Sequence, residues 1–461
     1  MGVATRRVGL HEDTAATVIG LAIVAMALAV TWWACPAERP ASREKWPKGW
    51  PTPLSRTIDK PQTWSDSPLD SFRDKQGNPV AVPILLGGAW VVAVAVAGAS
   101  LGGRPLARML PGAAALAMLA ALAYLLSAQQ VIHFYNLEYP LWALMIGVLL
   151  GNVVGVPPWL ERALAGEFLI KTGLVVFGAE VLVGRLLELG LPGLLTAWVV
   201  TPIVLVTTYW CGVHIMKIPS KSLCMVISAD MSVCGVSAAI ATGAACRAKK
   251  EELSLAIGLS LLFTVIMMVA MPPAIGWLGL DPIVGGAWIG GTIDATGAVV
   301  AAGESLGKEA GEVAATVKMI QNSMIGIIAF AVAVYWAGWV DHSGGPRRGS
   351  LLAEAWRRFP RFILGFLAAS IACSWLFSLS PAHALWVDGT TTGFTSRLRG
   401  WLFCSGFVCM GLQTNFRELA PVLASGRPLV LYVGGQCLNL VLTLAMASLT
   451  FGWLFRKAVE P

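Results

Sequence analysis

Residues 290–303 read GGTIDATGAVVAAG. The stretch is apolar enough to lie in a membrane, yet it holds a carboxylate, Asp294, and four glycines. Glycine weakens a helix interior by roughly 0.5–1 kcal/mol relative to alanine. An ionisable group inside a bilayer is costly and marks a functional position by default. A stretch with both features is expected to be an interrupted helix rather than a plain span.

A partner for it lies earlier in the chain. Residues 232–243, SVCGVSAAIATG, match residues 292–303, TIDATGAVVAAG, position by position. Ser232 pairs with Thr292, Val233 with Ile293, Cys234 with Asp294, Gly235 with Ala295, and Gly243 with Gly303. An acidic loop and a further apolar run follow each copy: EELSLAIGL after the first, GEVAATVKM after the second. A weaker pair sets LVVFGAEVL (174–182) beside FVCMGLQTN (407–415), aligning Gly178 with Gly411 and Glu180 with Gln413. Secondary transporters are often two inverted copies of one unit, with the substrate site at broken helices near the midplane. The competing reading is that small residues simply let helices pack closely.

Composition sets the frame. Of 461 residues, 56% are hydrophobic and 13% charged, about half the usual charge of a soluble chain. The mean hydropathy is +0.70. Apolar runs of about 20 residues match the thickness of a hydrocarbon core. The chain is expected to be an all-α polytopic membrane protein. Its net charge of +7 does not indicate nucleic-acid binding, because the basic residues sit in short loops, as positive-inside orientation requires. The nine cysteines lie mostly in apolar runs without a CxxC pair, so no disulfide framework is expected. The five histidines, His11, His133, His214, His342 and His383, lack metal-ligand spacing. No catalytic triad, Walker loop or dinucleotide fingerprint is present, so neither an enzyme nor a self-contained ATP-driven pump is expected.

Thirteen apolar runs follow one another, at about 14–34, 80–99, 110–131, 138–156, 166–184, 191–212, 221–246, 252–277, 284–303, 314–340, 360–380, 399–415 and 427–455. The first, preceded by Arg6 and Arg7, reads as an uncleaved anchor with its N-terminus inside. Residues 36–78 are polar and rich in proline and tryptophan (Trp46, Trp50, Trp64), as in an interfacial loop. The expected division is an N-terminal extension over 1–131, with about three transmembrane helices and this loop. A transporter core of about ten membrane segments then fills 132–461.

Charge and repeat together constrain the topology. If all thirteen runs crossed the membrane, 221–246 and 284–303 would run parallel, and the basic loop at Arg247, Lys249 and Lys250 would lie outside. If both are re-entrant hairpins, the first opens to the cytoplasm between Lys217/Lys221 and Arg247/Lys249/Lys250, and the second opens outside. Arg104, Arg108 and the cluster Arg347, Arg348, Arg357, Arg358 and Arg361 then stay cytoplasmic. Irregular backbone at membrane depth survives only inside protein or along a cavity. Glycines and small hydroxyl residues there permit tight turns and leave half-helix N-termini open to anions.

Four ionisable residues fall inside apolar runs: Glu180, Asp230, Asp294 and Lys318. Lys318, with Gln321 and Asn322 on nearby faces, either attracts an anion or forms a structural ion pair with Asp294. Asp294 is also a candidate proton carrier. Asp230, just before the first turn, either binds a cation or caps a half-helix. Glu180 is either an ion-coupling residue or an interfacial one.

These landmarks carry a resemblance. LWALMIGVLLGN (141–152), KTGLVVFGAEV (171–181), SVCGVSAA (232–239), GGTIDATGAVVAAG (290–303), VKMIQ (317–321), FILGFLAAS (362–370) and FVCMGLQTNFREL (407–419) occur in order. From about residue 138 to 455 the chain resembles a family of bacterial inner-membrane proteins described as sulfate exporters. The resemblance implies an inverted-repeat secondary transporter, grouped with bile-acid, citrate and sodium/proton carriers, that moves an anion without ATP. It departs from the family twice. Asp294 and Ala295 stand where similar members carry a histidine and an acid, and Gln321 stands where an arginine is common.

Two readings of function remain. In the first, a secondary transporter moves a small anion (sulfate, sulfite, or another sulfur-containing or carboxylate anion). Ser232, Cys234, Gly235, Ser237, Thr292, Thr296, Lys318, Gln321 and Asn322 hold the substrate, and Asp294, Asp230 and Glu180 serve coupling to H⁺ or Na⁺. In the second, a cation/proton antiporter uses Asp294 and Asp230. No metal or organic cofactor is expected. The expected partners are the anion, membrane lipid and a second copy of the chain.

Overall fold

The computed structural model describes residues 12–34, 52–74, 77–103, 106–134, 139–181, 183–340, 361–414 and 426–455. The expectations for Trp46, Trp50 and the arginines from Arg347 to Arg358 lie outside these residues. The chain forms two compact units. Unit 1 takes residues 1–184 and 361–413; unit 2 takes 185–360 and 414–461. The expected boundary at 131/132 falls inside unit 1.

Unit 1 begins with α1 (Glu12–Trp33), α2 (Ala81–Leu101), α3 (Leu106–Ser127), α4 (Tyr139–Leu149) and α5 (Gly166–Phe177). α6 (Val183–Trp210) leads into unit 2, which continues with α7 (Lys221–Ser232), α8 (Gly235–Cys246), α9 (Lys250–Trp277), α10 (Pro282–Thr292), α11 (Thr296–Glu304), α12 (Lys308–Ser323) and α13 (Ile325–Tyr335). The chain returns to unit 1 through α14 (Arg361–Leu379), α15 (Pro381–Thr390) and α16 (Ser396–Gln413), then closes unit 2 with α17 (Arg427–Ala447). Among the described residues, eight helices are long and apolar enough to cross a membrane. The thirteen apolar runs therefore do not all become long spans. The runs at 221–246 and 284–303 are each broken into two half-helices.

In unit 1 the first helix is fastened to the rest. Lys171 of α5 meets Asp13 at 2.9 Å, Glu167 at 3.0 Å and Glu12 at 3.2 Å. Trp386 of α15 donates its indole N–H to Leu28 O at 3.1 Å. The polar segment also docks. Trp64 donates its indole N–H to Leu125 O at 2.8 Å, and Trp401 of α16 donates to Asp59 O at 2.9 Å. A tryptophan indole N–H held away from water needs such an acceptor. Trp64 is thus tied to the end of α3 rather than held by headgroups alone.

In unit 2 the two broken runs fold back on themselves. In the first, Cys246 Sγ at the end of α8 lies 4.0 Å from Ser222 O at the start of α7. Glu252 of α9 clasps this foot, accepting from Ser220 Oγ at 2.6 Å, Ser222 Oγ at 2.8 Å and Lys249 N at 3.0 Å. Partial burial opposes ionisation of Glu252, but these hydrogen bonds and the Lys249 charge hold its carboxyl below the usual carboxylate range. A depressed carboxyl pKa stabilises the fold above the unfolded value, about 4.3. That contribution is lost as the pH falls through the folded value. Glu252→Gln is therefore expected to loosen the foot at neutral pH, with faster amide exchange in the first turn of α7. The two proteins should converge below pH ~4.

In the second broken run, Gly285 of α10 lies against Leu306, just beyond α11, so the two ends of this run also meet. α11 then runs back along α12, with Glu304 against Gly311 and Thr296 against Asn322. The glycines of the opening stretch act here. A Cβ on Gly290 would stand 2.6 Å from Ala314 O, and one on Gly303 would stand 2.8 Å from Ala314 Cβ. They let α10 and α11 touch the backbone of α12. The turn itself places Asp294 between Ile293 and Ala295, both in extended backbone, with no glycine. Only the first hairpin turns on a glycine, Gly235, at φ +43°. Gly290→Val is expected to lower stability by about 1–3 kcal/mol through overpacking, seen as a lower Tm of the detergent-solubilised protein.

Candidate functional site

The turns of the two hairpins meet inside unit 2. Cys234 Sγ lies 3.6 Å from Thr296 Oγ1, and a Cβ on Gly235 would stand 3.4 Å from Asp294 Cβ. Each turn joins a half-helix C-terminus, a negative pole, to a half-helix N-terminus, a positive pole. Four orphan carbonyls at each C-terminus and four orphan N–H groups at each N-terminus then need partners.

The C-terminal poles are covered by side chains of α12 and α17. Lys318 donates to Val233 O, and to Gln321 Oε1 at 2.7 Å. Gln321 Nε2 reaches Ser232 O at 3.0 Å and Gly291 O at 3.2 Å, one carbonyl from each hairpin, and Thr201 Oγ1 at 3.1 Å. Gln436 donates to Thr292 O at 3.1 Å, and Asn439 donates to Met231 O at 3.4 Å. Lys318 is 1% exposed, and its charge acts on Cys234, Asp294 and Asp230.

The N-terminal poles are not covered in this way. Neither α8 nor α11 has a side-chain N-cap. Around them stand Cys234, Ser237, Thr296 and Asn322, and Asn322 Nδ2 donates to Thr296 Oγ1 at 3.0 Å. Cys234, Ser237 and Ala295 are half-buried, whereas Ser232, Asp294 and Thr292 are buried. The accessible part of the junction is thus its electropositive side.

Asp294 is 1% exposed and accepts two hydrogen bonds at Oδ2, from Ser260 at 3.2 Å and from Tyr432. Phe263 packs on the Tyr432 ring, with centroids 4.9 Å apart. Asp230, 0% exposed, has no hydrogen-bond partner on either carboxylate oxygen. Ser260 stands near both acids and within hydrogen-bond length serves Asp294.

The structure thus brings Asp230, Ser232, Cys234, Gly235, Ser237, Thr292, Asp294, Thr296, Lys318, Gln321 and Asn322 into one unit. Within it, Ser232 and Thr292 spend their hydroxyls on Ala229 O (3.4 Å) and Trp288 O (2.6 Å) of their own helices. Glu180 stands apart, in unit 1. Arg399 holds it from both sides, Nε to Oε1 at 3.2 Å and Nη2 to Oε2 at 3.0 Å, while Phe177 stacks on the guanidinium at 4.5 Å. Sequence reasoning missed Arg399, Ser260, Tyr432, Gln436 and Asn439. A signal existed for three of them, because Tyr432, Gln436, Asn439 and Thr443 recur at helical spacing and mark a polar stripe on an apolar run. No group of three or more His, Cys, Asp or Glu able to hold a metal occurs among the described residues.

Residues 111–432 match the family model described as conserved hypothetical protein 698. The chain belongs to this family. A UPF0324 membrane protein of Rhodopirellula baltica is 54% identical over 419 residues, covering 91% of this chain and 76% of its own length. A UPF0324 membrane protein of Nitratidesulfovibrio vulgaris is 52% identical over 356 residues, covering 77% of this chain. This chain spans 61% of that relative's length, less than two thirds. A UPF0324 membrane protein of Nitrosomonas europaea is 27% identical over 348 residues. No solved structure matches the chain. The names of these relatives and the eight apolar helices agree on a multi-pass membrane protein.

Proposed function

We propose that this UPF0324 protein is a secondary active transporter of a small anion in the bacterial inner membrane, and not an enzyme. The observation that carries the reading is the polarity of the hairpin junction. Lys318, Gln321, Gln436 and Asn439 neutralise the carbonyl poles, so the N–H poles of α8 and α11 remain for a negative ligand. Cys234, Ser237 and Thr296 supply the polar edge. In this reading both broken runs are re-entrant, enter from opposite faces and form an inverted repeat, and access alternates as one bundle moves against the other. Sulfate, sulfite, small sulfonates and carboxylates fit the expected charge and size. The resemblance to sulfate exporters favours the sulfur anions, while Gln321 in place of arginine reduces the positive charge. Lys318 then acts through its charge and by holding the turn, with its ammonium bonded to protein oxygens. Asp294 and Asp230 carry the coupling ion.

One observation favours the antiporter reading: the partnerless carboxylate of Asp230. Proteoliposome flux separates the two. Sulfate, sulfite, a small sulfonate, bicarbonate and a dicarboxylate are offered with and without a pH or Na⁺ gradient. Gradient-dependent flux of one anion is the expected result. Na⁺/H⁺ exchange with no anion flux would establish the antiporter instead.

A further inference from the structure

Buried threonines in these helices commonly donate to the carbonyl four residues back. Thr31, Thr172, Thr196, Thr242 and Thr292 all do so. Thr208 of α6 and Thr264 of α9 are equally buried but have no hydrogen-bond partner. Among the described residues, eight buried side-chain N or O atoms lack a partner. Five of them are Thr208 Oγ1, Thr264 Oγ1, Gln436 Oε1 and the two oxygens of Asp230. Orphaned buried oxygens are rare and call for an explanation.

These five lie on helices that converge. Ser260, one helical turn before Thr264, stands by both acids. Gln436 Nε2 lies 3.0 Å from Met267 Sδ, on the same face of α9 and less than a turn beyond Thr264. Gln436 is one turn from Tyr432, which donates to Asp294. Thr208 Cγ2 and Met231, the residue after Asp230, both pack against Gly435 of α17. The orphaned oxygens thus belong to α6, α7, α9 and α17, four helices that come together beside the hairpin turns.

The charge count points the same way. Asp230, Asp294 and Lys318 are all buried, and together they sum to −1 when ionised. Tyr432, the other titratable group facing the acids, is neutral in its usual form. Asp294 already has two donors and Lys318 nearby, as an ionised carboxylate requires. Asp230 has no donor at hydrogen-bond geometry, because Ser260 beside it donates to Asp294 instead. A proton would sit on one of the five orphaned oxygens, whereas a dehydrated cation can be ligated by several. Carboxylates with neutral oxygens suit a hard ion rather than a soft one, and a net charge of −1 is balanced by a monovalent ion.

We infer that Asp230, Thr264, Gln436 and Thr208, beside Asp294, form a binding site for a small dehydrated alkali cation of the Na⁺ class. The inference rests on the transporter reading by naming its coupling ion, but binding is measurable without transport. The test uses the full-length detergent-solubilised protein, with ²²Na⁺ binding and Tm followed as NaCl replaces choline chloride or KCl. Saturable Na⁺ binding with a rise in Tm, absent with K⁺ and choline, is expected. Asp230→Asn should abolish both. Thr264→Val, nearly isosteric, should weaken Na⁺ about tenfold, which keeps the test open if Asp230→Asn fails to fold. An equal response to K⁺, no response to Na⁺, or stabilisation by acid alone would overturn the site. Na⁺ binding without anion flux in liposomes would leave the site standing and sink the anion reading instead.

Discussion

Lys318→Met is expected to abolish flux and to lower stability by about 3–5 kcal/mol, the usual cost of leaving buried charges without their partner. The wild-type ammonium bonds the Val233 carbonyl and Gln321 Oε1, and its charge faces Asp294 and Asp230. Methionine fills similar volume without donating. It frees the Val233 carbonyl, releases Gln321 from its anchor and raises the buried negative charge from one to two. Lys318→Arg should not rescue, because a planar fork does not fit where a compact ammonium reaches one carbonyl and one amide. Tm and amide exchange across α7 and α10 provide the measurement. A Lys318→Met protein as stable as wild type would mean that the lysine does not hold the turns.

Asp294→Asn should behave differently. Its amide oxygen can still accept from Ser260 and Tyr432, so the fold should change by only about 1 kcal/mol. The charge balance changes fully, since Lys318 and Asp230 then neutralise each other with no coupling ion. Gradient-driven flux is expected to fall roughly 100-fold, the rate equivalent of about 3 kcal/mol, and any residual flux should ignore the Na⁺ or pH gradient. Full coupled flux through Asp294→Asn would remove this acid from the mechanism.

The pairing of residues 232–243 with 292–303 was readable because small residues recur at fixed offsets. Those offsets turned out to mark two helix–turn–helix hairpins whose turns meet. The glycines were harder to read. Their number suggested tight turns, but Gly290 and Gly303 face α12, and a close approach between helices leaves no local pattern beyond the glycine itself. Glu180 shows the same limit. Its partner Arg399 lies 219 residues away, so the sequence marks an acid in an apolar run without showing that a guanidinium neutralises it. The polar stripe on α17 was visible at helical spacing, whereas Ser260 is a lone hydroxyl among apolar residues and gains meaning only from Asp294 beside it.

If the anion sits at the junction of the two turns, Cys234 reports it directly. The thiol is half-buried, begins α8 and touches Thr296. With the other eight cysteines replaced, the rate of Cys234 alkylation is followed in membranes with and without the anion identified by flux. The transported anion is expected to slow labelling severalfold, at concentrations that saturate transport, and a non-transported anion is not. Unchanged labelling at saturating substrate would place the anion away from the two turns.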